Sequence, residues 1–142
     1  MSVHVRSIEE QIIMHEGLRL KPYRCPAGYL TIGVGRNLDT KGLSKEEALF
    51  LLGNDITEIV EVLEKYSWYI NSDAVRRKVL IDMAFNLGIT GLLKFLRMIA
   101  ALERKDYAVA AKEMENSRWY RQVGERGRRL VEMMRPRKDY KT

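Results

Sequence analysis

The chain has 142 residues, 46% hydrophobic and 31% charged, enough for one folded domain pinched into two lobes at most and too regularly patterned for wholesale disorder. One cysteine excludes an internal disulfide and a cysteine-rich metal site, and His4 and His15 are poorly placed for a metal cluster, so chemistry without a metal or cofactor is expected. The net charge of +6 is uneven: 16 Lys/Arg face 16 Asp/Glu up to Ser117, and 9 face 3 from Arg118 onward, a field that attracts a polyanion such as nucleic acid, anionic membrane or acidic cell-wall polymer.

Taken in order, Ser7-Ile8-Glu9-Glu10 has the form of a capping box and starts a helix over 7–16. Ile8, Ile12 and Ile13 repeat at helical spacing, and Glu16 stands at the last turn, where Gly17 can end the helix and bare the carboxylate. From Pro26 the chain turns. Tyr29-Leu30-Thr31-Ile32 reads as a strand returning beside that helix, with Gly28, Gly33 and Gly35 permitting tight backbone or close ligand approach. On that geometry Glu16, Cys25 and Thr31 converge on one groove.

Residues 37–42 read as a polar loop, and Ser44-Lys45-Glu46-Glu47 opens a second helix carrying Ala48, Leu52, Ile56, Ile59, Val60 and Leu63. It runs about 20 residues, or roughly 30 Å, and would serve as a spine between a small and a larger lobe. Tyr66 to Asn71 reads as a linker. Ser72 then caps a helix with Val75, Val79, Leu80, Met83 and Leu87 before Gly88, and Thr90 restarts the chain for Leu92, Leu93, Leu96, Ile99 and Leu102. Asp106 caps an alanine-rich helix through Met114, Ser117 to Tyr120 is a helical turn, and Glu125 to Met134 is a final helix stopped by Pro136, with a frayed tail after Arg135. Trp119 and Tyr120 read as core anchors, and the arginines at 121, 126, 128, 129 and 135 divide between lining a cleft and solvating a helix. No uncharged apolar run reaches spanning length and no apolar leader opens the chain, so neither a signal peptide nor membrane insertion is expected. Specific nucleic-acid binding is not expected either, since no base-reading motif is present.

Glu16, eight intervening residues, Cys25, five more and Thr31 follow the signature spacing of the phage-type lysozymes, glycoside hydrolase family 24, in which an Asp or a Cys takes the middle place. The chain resembles that family from about Ile8 to Arg135. The runs Glu16 to Leu20, Gly28 to Gly35, Asp73 to Arg77, Gly88 to Gly91 and Ser117 to Tyr120 resemble its T-even phage members. The resemblance implies an α+β, lysozyme-like fold: one lysozyme domain over 1–142, with a small β-containing N-terminal lobe (about 14–60) and a larger helical C-terminal lobe (about 61–135 plus the N-terminal helix 7–16), joined by a long helix. It implies a phage or prophage endolysin hydrolysing the β-1,4 bond between N-acetylmuramic acid and N-acetylglucosamine in bacterial peptidoglycan. Such a protein, a monomer made in the host cytoplasm, would need a holin to reach the wall and lyse the host.

In that scheme Glu16 is the general acid, and Cys25 with Thr31 holds the water that attacks the opposite face of the sugar. Cys25 as a thiolate attacking the anomeric carbon, or as a cysteine merely packed in the turn, stays open. Substrate contacts would map to Tyr23, Tyr29, Asn86, Thr90 and Arg126. Two departures stand out: the connection before the second helix is short, which should cost the small lobe helical decoration, and Arg36 stands where the signature has a His, with Asp55 as its expected ion-pair partner. Because Cys25 is not a carboxylate, a catalytically weak or silent peptidoglycan-binding protein is one alternative, and a lytic transglycosylase, with an internal sugar hydroxyl replacing water, is another.

Overall fold

In the computed structural model, which describes residues 6–136, the first helix, α1 (Ile8–Glu16), begins where the capping box stands. The Ser7 hydroxyl oxygen accepts the Glu10 N–H at 3.1 Å, and Glu9 and Glu10 complement the positive end of the helix dipole. Gly17, at φ 80°, ends the helix and donates its N–H to the Ile13 carbonyl.

Three antiparallel strands follow in the order β1 (Arg19–Arg24), β2 (Leu30–Gly33) and β3 (Arg36–Asn37). The register sets Tyr23 opposite Thr31 and Thr31 opposite Asn37. Residues 25–29 form the turn between β1 and β2, closed by Cys25 N–H to the Tyr29 carbonyl (2.9 Å) and Gly28 N–H to the Cys25 carbonyl (2.8 Å). Asp39 braces that turn from the next loop: its carboxylate accepts the Leu30 N–H at 2.7 Å and lies 3.6 Å from Arg24.

Residues 38–44 are turn and coil without a helix, as the short connection predicts, and α2 (Lys45–Leu63) starts at Ser44. Ser44 Oγ accepts the Glu47 N–H (3.1 Å) while Glu47 Oε1 accepts the Ser44 N–H (2.9 Å), a complete capping box. Glu47 also takes the partner that Asp55 was expected to be. Arg36 donates to it at 2.8 Å and 2.7 Å and to the Gly42 carbonyl at 3.2 Å, so the predicted Arg36–Asp55 pair is replaced by one between β3 and the first turn of α2.

The helical part comprises α3 (Ser67–Ile70), α4 (Ala74–Leu93), α5 (Leu96–Glu103), α6 (Tyr107–Glu115), α7 (Arg118–Val123) and α8 (Glu125–Met134). The expected linker at 66–71 is therefore helix α3, because Trp68 and Tyr69 are buried and anchor it. Ser72 is not the cap of α4: it is buried and donates to the Trp68 carbonyl, and Asp73 takes the cap by accepting the Arg76 N–H. At Gly88 (φ 77°, ψ 161°) the chain breaks α4 into two helical stretches, where the sequence has its Gly88 stop and Thr90 restart. Asp106 caps α6 as predicted, and Ser117, read as part of a helical turn, is the cap of α7.

Leu63, Leu80, Met83, Leu92, Met98, Met114 and Met134 are fully buried in one core, each contributing about 1.5–3 kcal/mol by burial. Trp119 belongs to it, edge-on to Phe95 with ring centroids 6.1 Å apart. Arg76 ties α4 to the end of α8 through the carbonyls of Met134 (3.1 Å) and Arg135 (2.6 Å). Contacts gather into two compact units, Met1–Phe50 and Leu51–Thr142, the first taking in α1 and the sheet and the second most of α2 and the other helices. The tail beyond 136, expected to fray, lies outside the described residues. No single helix among those described is long and apolar enough to cross a membrane.

Candidate active site

A concavity of about 430 Å³ in the N-terminal unit is lined by His15, Glu16, Tyr23, Cys25, Pro26, Thr31, Gly35 and Asn37. Its construction follows from strand geometry. Side chains directly opposite one another across a sheet share a face, so Tyr23, Thr31 and Asn37 form one row across all three strands. Cys25, two residues beyond Tyr23, keeps that parity. Glu16 arrives from the end of α1, and Gly35 lets it in: a Cβ at position 35 would stand 2.8 Å from Glu16 Oε2. Gly35 also has φ 66°, which L side chains rarely adopt; the backbone there calls for glycine, and an added Cβ would in addition push the Glu16 carboxylate aside.

Thr31 is 3% exposed and donates its hydroxyl proton to the Tyr29 carbonyl at 2.9 Å, which leaves its oxygen as an acceptor toward the concavity. The Cys25 thiol is held below the usual thiol range. The Tyr29 backbone N–H is the largest influence, desolvation opposes it, and the Ala27 N–H, the Gly28 N–H and a Thr31 hydroxyl turned to the sulfur in place of the Tyr29 carbonyl add to it. The Arg19 guanidinium lies 4.3 Å from the centre of the Tyr23 ring, a cation–π contact that steadies one wall.

Of the residues singled out in the sequence, Glu16, Cys25, Thr31 and Tyr23 come together here. Tyr29 contributes through its backbone, and its side chain is not among those lining the concavity. Asn86, Thr90 and Arg126 belong to the helical unit. Asn86 Oδ1 accepts the Trp119 indole N–H at 2.9 Å, buttressing a core residue, and Thr90 is exposed two residues past the break at Gly88. Arg126 grips Asp82 at 2.6 and 2.7 Å in a second concavity, of about 460 Å³, whose apolar lining includes Leu52, Ile56, Ile81 and Phe85. Asn37 was legible in sequence only as the start of a loop. The signal that finds it is the Gly33-Val34-Gly35 turn, which sets Ile32 opposite Arg36 and hence Thr31 opposite Asn37. Among the described residues no group of three or more His, Cys, Asp or Glu is arranged to hold a metal ion.

A family model described as phage lysozyme matches residues 14–139, a span that includes every residue of the concavity. Among curated proteins the chain is similar to two from Dictyostelium discoideum, probable T4-type lysozyme 1 (28% identical over 160 residues) and probable T4-type lysozyme 2 (27% over 158). The alignments cover 92% and 89% of this chain and 94% and 92% of theirs. It is also similar to the pre-baseplate central spike protein Gp5 of Enterobacteria phage T4, 30% identical over 155 residues that span 88% of this chain and 27% of that protein.

Proposed function

The chain belongs to the phage lysozyme family and is a lysozyme, a hydrolase of peptidoglycan, and on that premise we propose that it cuts the β-1,4 bond between N-acetylmuramic acid and N-acetylglucosamine as a phage or prophage endolysin. In this reading 1–142 is one lysozyme domain acting as a monomer, made in the host cytoplasm and reaching the wall through a holin lesion. The observation that carries the site assignment is the convergence of Glu16, Cys25 and Thr31 on one concavity.

Glycoside cleavage needs a proton on the leaving oxygen and an electron pair delivered to the anomeric carbon as positive charge develops there. Glu16 gives its proton to the glycosidic oxygen, and the C1–O bond breaks toward that oxygen. A water held by the Thr31 oxygen and the Cys25 sulfur attacks the opposite face. Its proton passes to the thiolate, which becomes the thiol, and the product is a reducing sugar of inverted configuration. The donors around Cys25 favour this role because they stabilise the anion that takes the proton.

Digestion of purified peptidoglycan tests the assignment. Wild-type protein is expected to release reducing muramic ends, detected by mass spectrometry of the muropeptides, and Glu16→Gln is expected to lose about a hundredfold or more in rate with its fold retained. An active Glu16→Gln refutes the acid assignment. Anhydro ends in place of reducing ones identify a transglycosylase, and wall binding without cleavage identifies a silent binder.

A further inference from the structure

Asn37 occupies the third place in the row that begins with Tyr23 and Thr31, directly opposite Thr31 on β3, and it lines the concavity that holds Glu16. Its Oδ1 accepts the Thr40 backbone N–H at 3.0 Å. That bond fixes which end of the carboxamide is oxygen, and among the described residues the NH2, with two donors, makes no hydrogen bond. The backbone of Asn37 is equally constrained, since its carbonyl accepts the N–H groups of Lys41 (3.2 Å) and Gly42 (3.1 Å). A half-buried amide, locked at one end and free at the other beside the reacting groups, is built to recognise an acceptor.

We infer that Asn37 is a specificity residue of the glycan site, its NH2 donating to the acetamido oxygen of an N-acetylated sugar. The inference rests on the assignment of this concavity to the glycan. A sugar hydroxyl can accept from this NH2 as well, but it can also turn to donate to a carboxylate, so it does not select the amide. The acetamido carbonyl only accepts, and it recurs on every sugar of the substrate. Removal of the acetyl group replaces that acceptor with an ammonium, which an NH2 repels and a carboxylate would attract.

Asn37→Asp separates these terms, because an aspartate oxygen still accepts the Thr40 N–H while the two donors are lost. The experiment measures kcat and KM for wild type and Asn37→Asp on two preparations of one peptidoglycan, fully N-acetylated and chemically de-N-acetylated, with thermal unfolding confirming the fold. Wild type is expected to prefer the acetylated wall. Asn37→Asp is expected to raise KM on it by about three- to tenfold, the weight of one neutral hydrogen bond, and to reverse the preference toward the de-N-acetylated wall. An Asn37→Asp protein with the wild-type preference, or one that loses equally on both walls while Glu16→Gln is inactive, overturns this inference alone. Activity retained by Glu16→Gln removes Glu16 as the acid, and with it the ground for placing the glycan in this concavity and for this inference.

Discussion

Cys25 sets the pH behaviour of the proposed reaction, because a thiol becomes a base only as it ionises, whereas a carboxylate in its place would be an anion throughout the neutral range. Donors from the 27–29 turn and Thr31 lower its pKa from the usual thiol range. The reacting form needs the thiolate together with a protonated Glu16, so kcat/KM is expected to be bell-shaped in pH, with the limb that belongs to the thiol lying below the free-thiol value of about 8.5. Cys25→Asp should abolish that limb and remain active near neutrality. Cys25→Ala should lose about a hundredfold, and pH–rate profiles of the three proteins check this. An unaffected Cys25→Ala would make the sulfur incidental. The Glu16, Cys25 and Thr31 set was legible from sequence because its spacing runs over a helix end, one turn and one strand, all local structure. Asn37 was not, since its place depends on the pairing of a two-residue strand too short to show alternation.

Among elements, the join between β3 and α2 carries more than its length suggests. Glu47 completes the α2 capping box and receives both arms of the Arg36 guanidinium, so the strand that presents Asn37 is tied to a helix N-terminus. The Arg36 hydrogen bonds, then the Ser44 N–H, hold the Glu47 carboxyl at about 2 against an ordinary 4.5. A carboxyl depressed in the folded state stabilises it fully above its unfolded value and loses that contribution as pH falls through the folded one. Wild type should therefore melt above Glu47→Gln at pH 5 and higher, and the difference should shrink between about pH 4.5 and 2, measured by thermal unfolding across that window. Identical curves would leave the pair without weight, an outcome that solvent screening of an exposed pair makes the test worth running at low salt. Sequence reading named Asp55 because a resemblance transfers positions and not distances. Glu47 lies eight residues earlier on the same helix, about 12 Å along its axis, which is the difference between meeting β3 and missing it. Ser72 and Asp73 show the same limit at closer range: both residue types cap helices, and burial of Ser72 against the Trp68 carbonyl decides between them.

At the scale of the whole molecule the excess positive charge lies from Arg118 onward, and the described part of that stretch divides into two kinds of arginine. Arg126, Arg128 and Arg135 are engaged with Asp82, with Glu125, and with Glu115 and Glu132. Arg118, Arg121 and Arg129 are exposed and make no salt bridge among the described residues. Charges already paired contribute little field beyond their partners, so attraction for an acidic wall polymer falls to the second set. Such attraction acts through solvent over a screening length of about 8–10 Å at moderate salt and affects encounter rather than chemistry. Replacing Arg118, Arg121 and Arg129 together by Gln is expected to raise KM for peptidoglycan at low ionic strength, to leave kcat unchanged, and to flatten the fall of kcat/KM with added salt. Turnover assays over a salt series decide it. A triple variant with the wild-type salt dependence would mean that the paired arginines, or the six-residue terminal segment past Pro136, supply the steering instead.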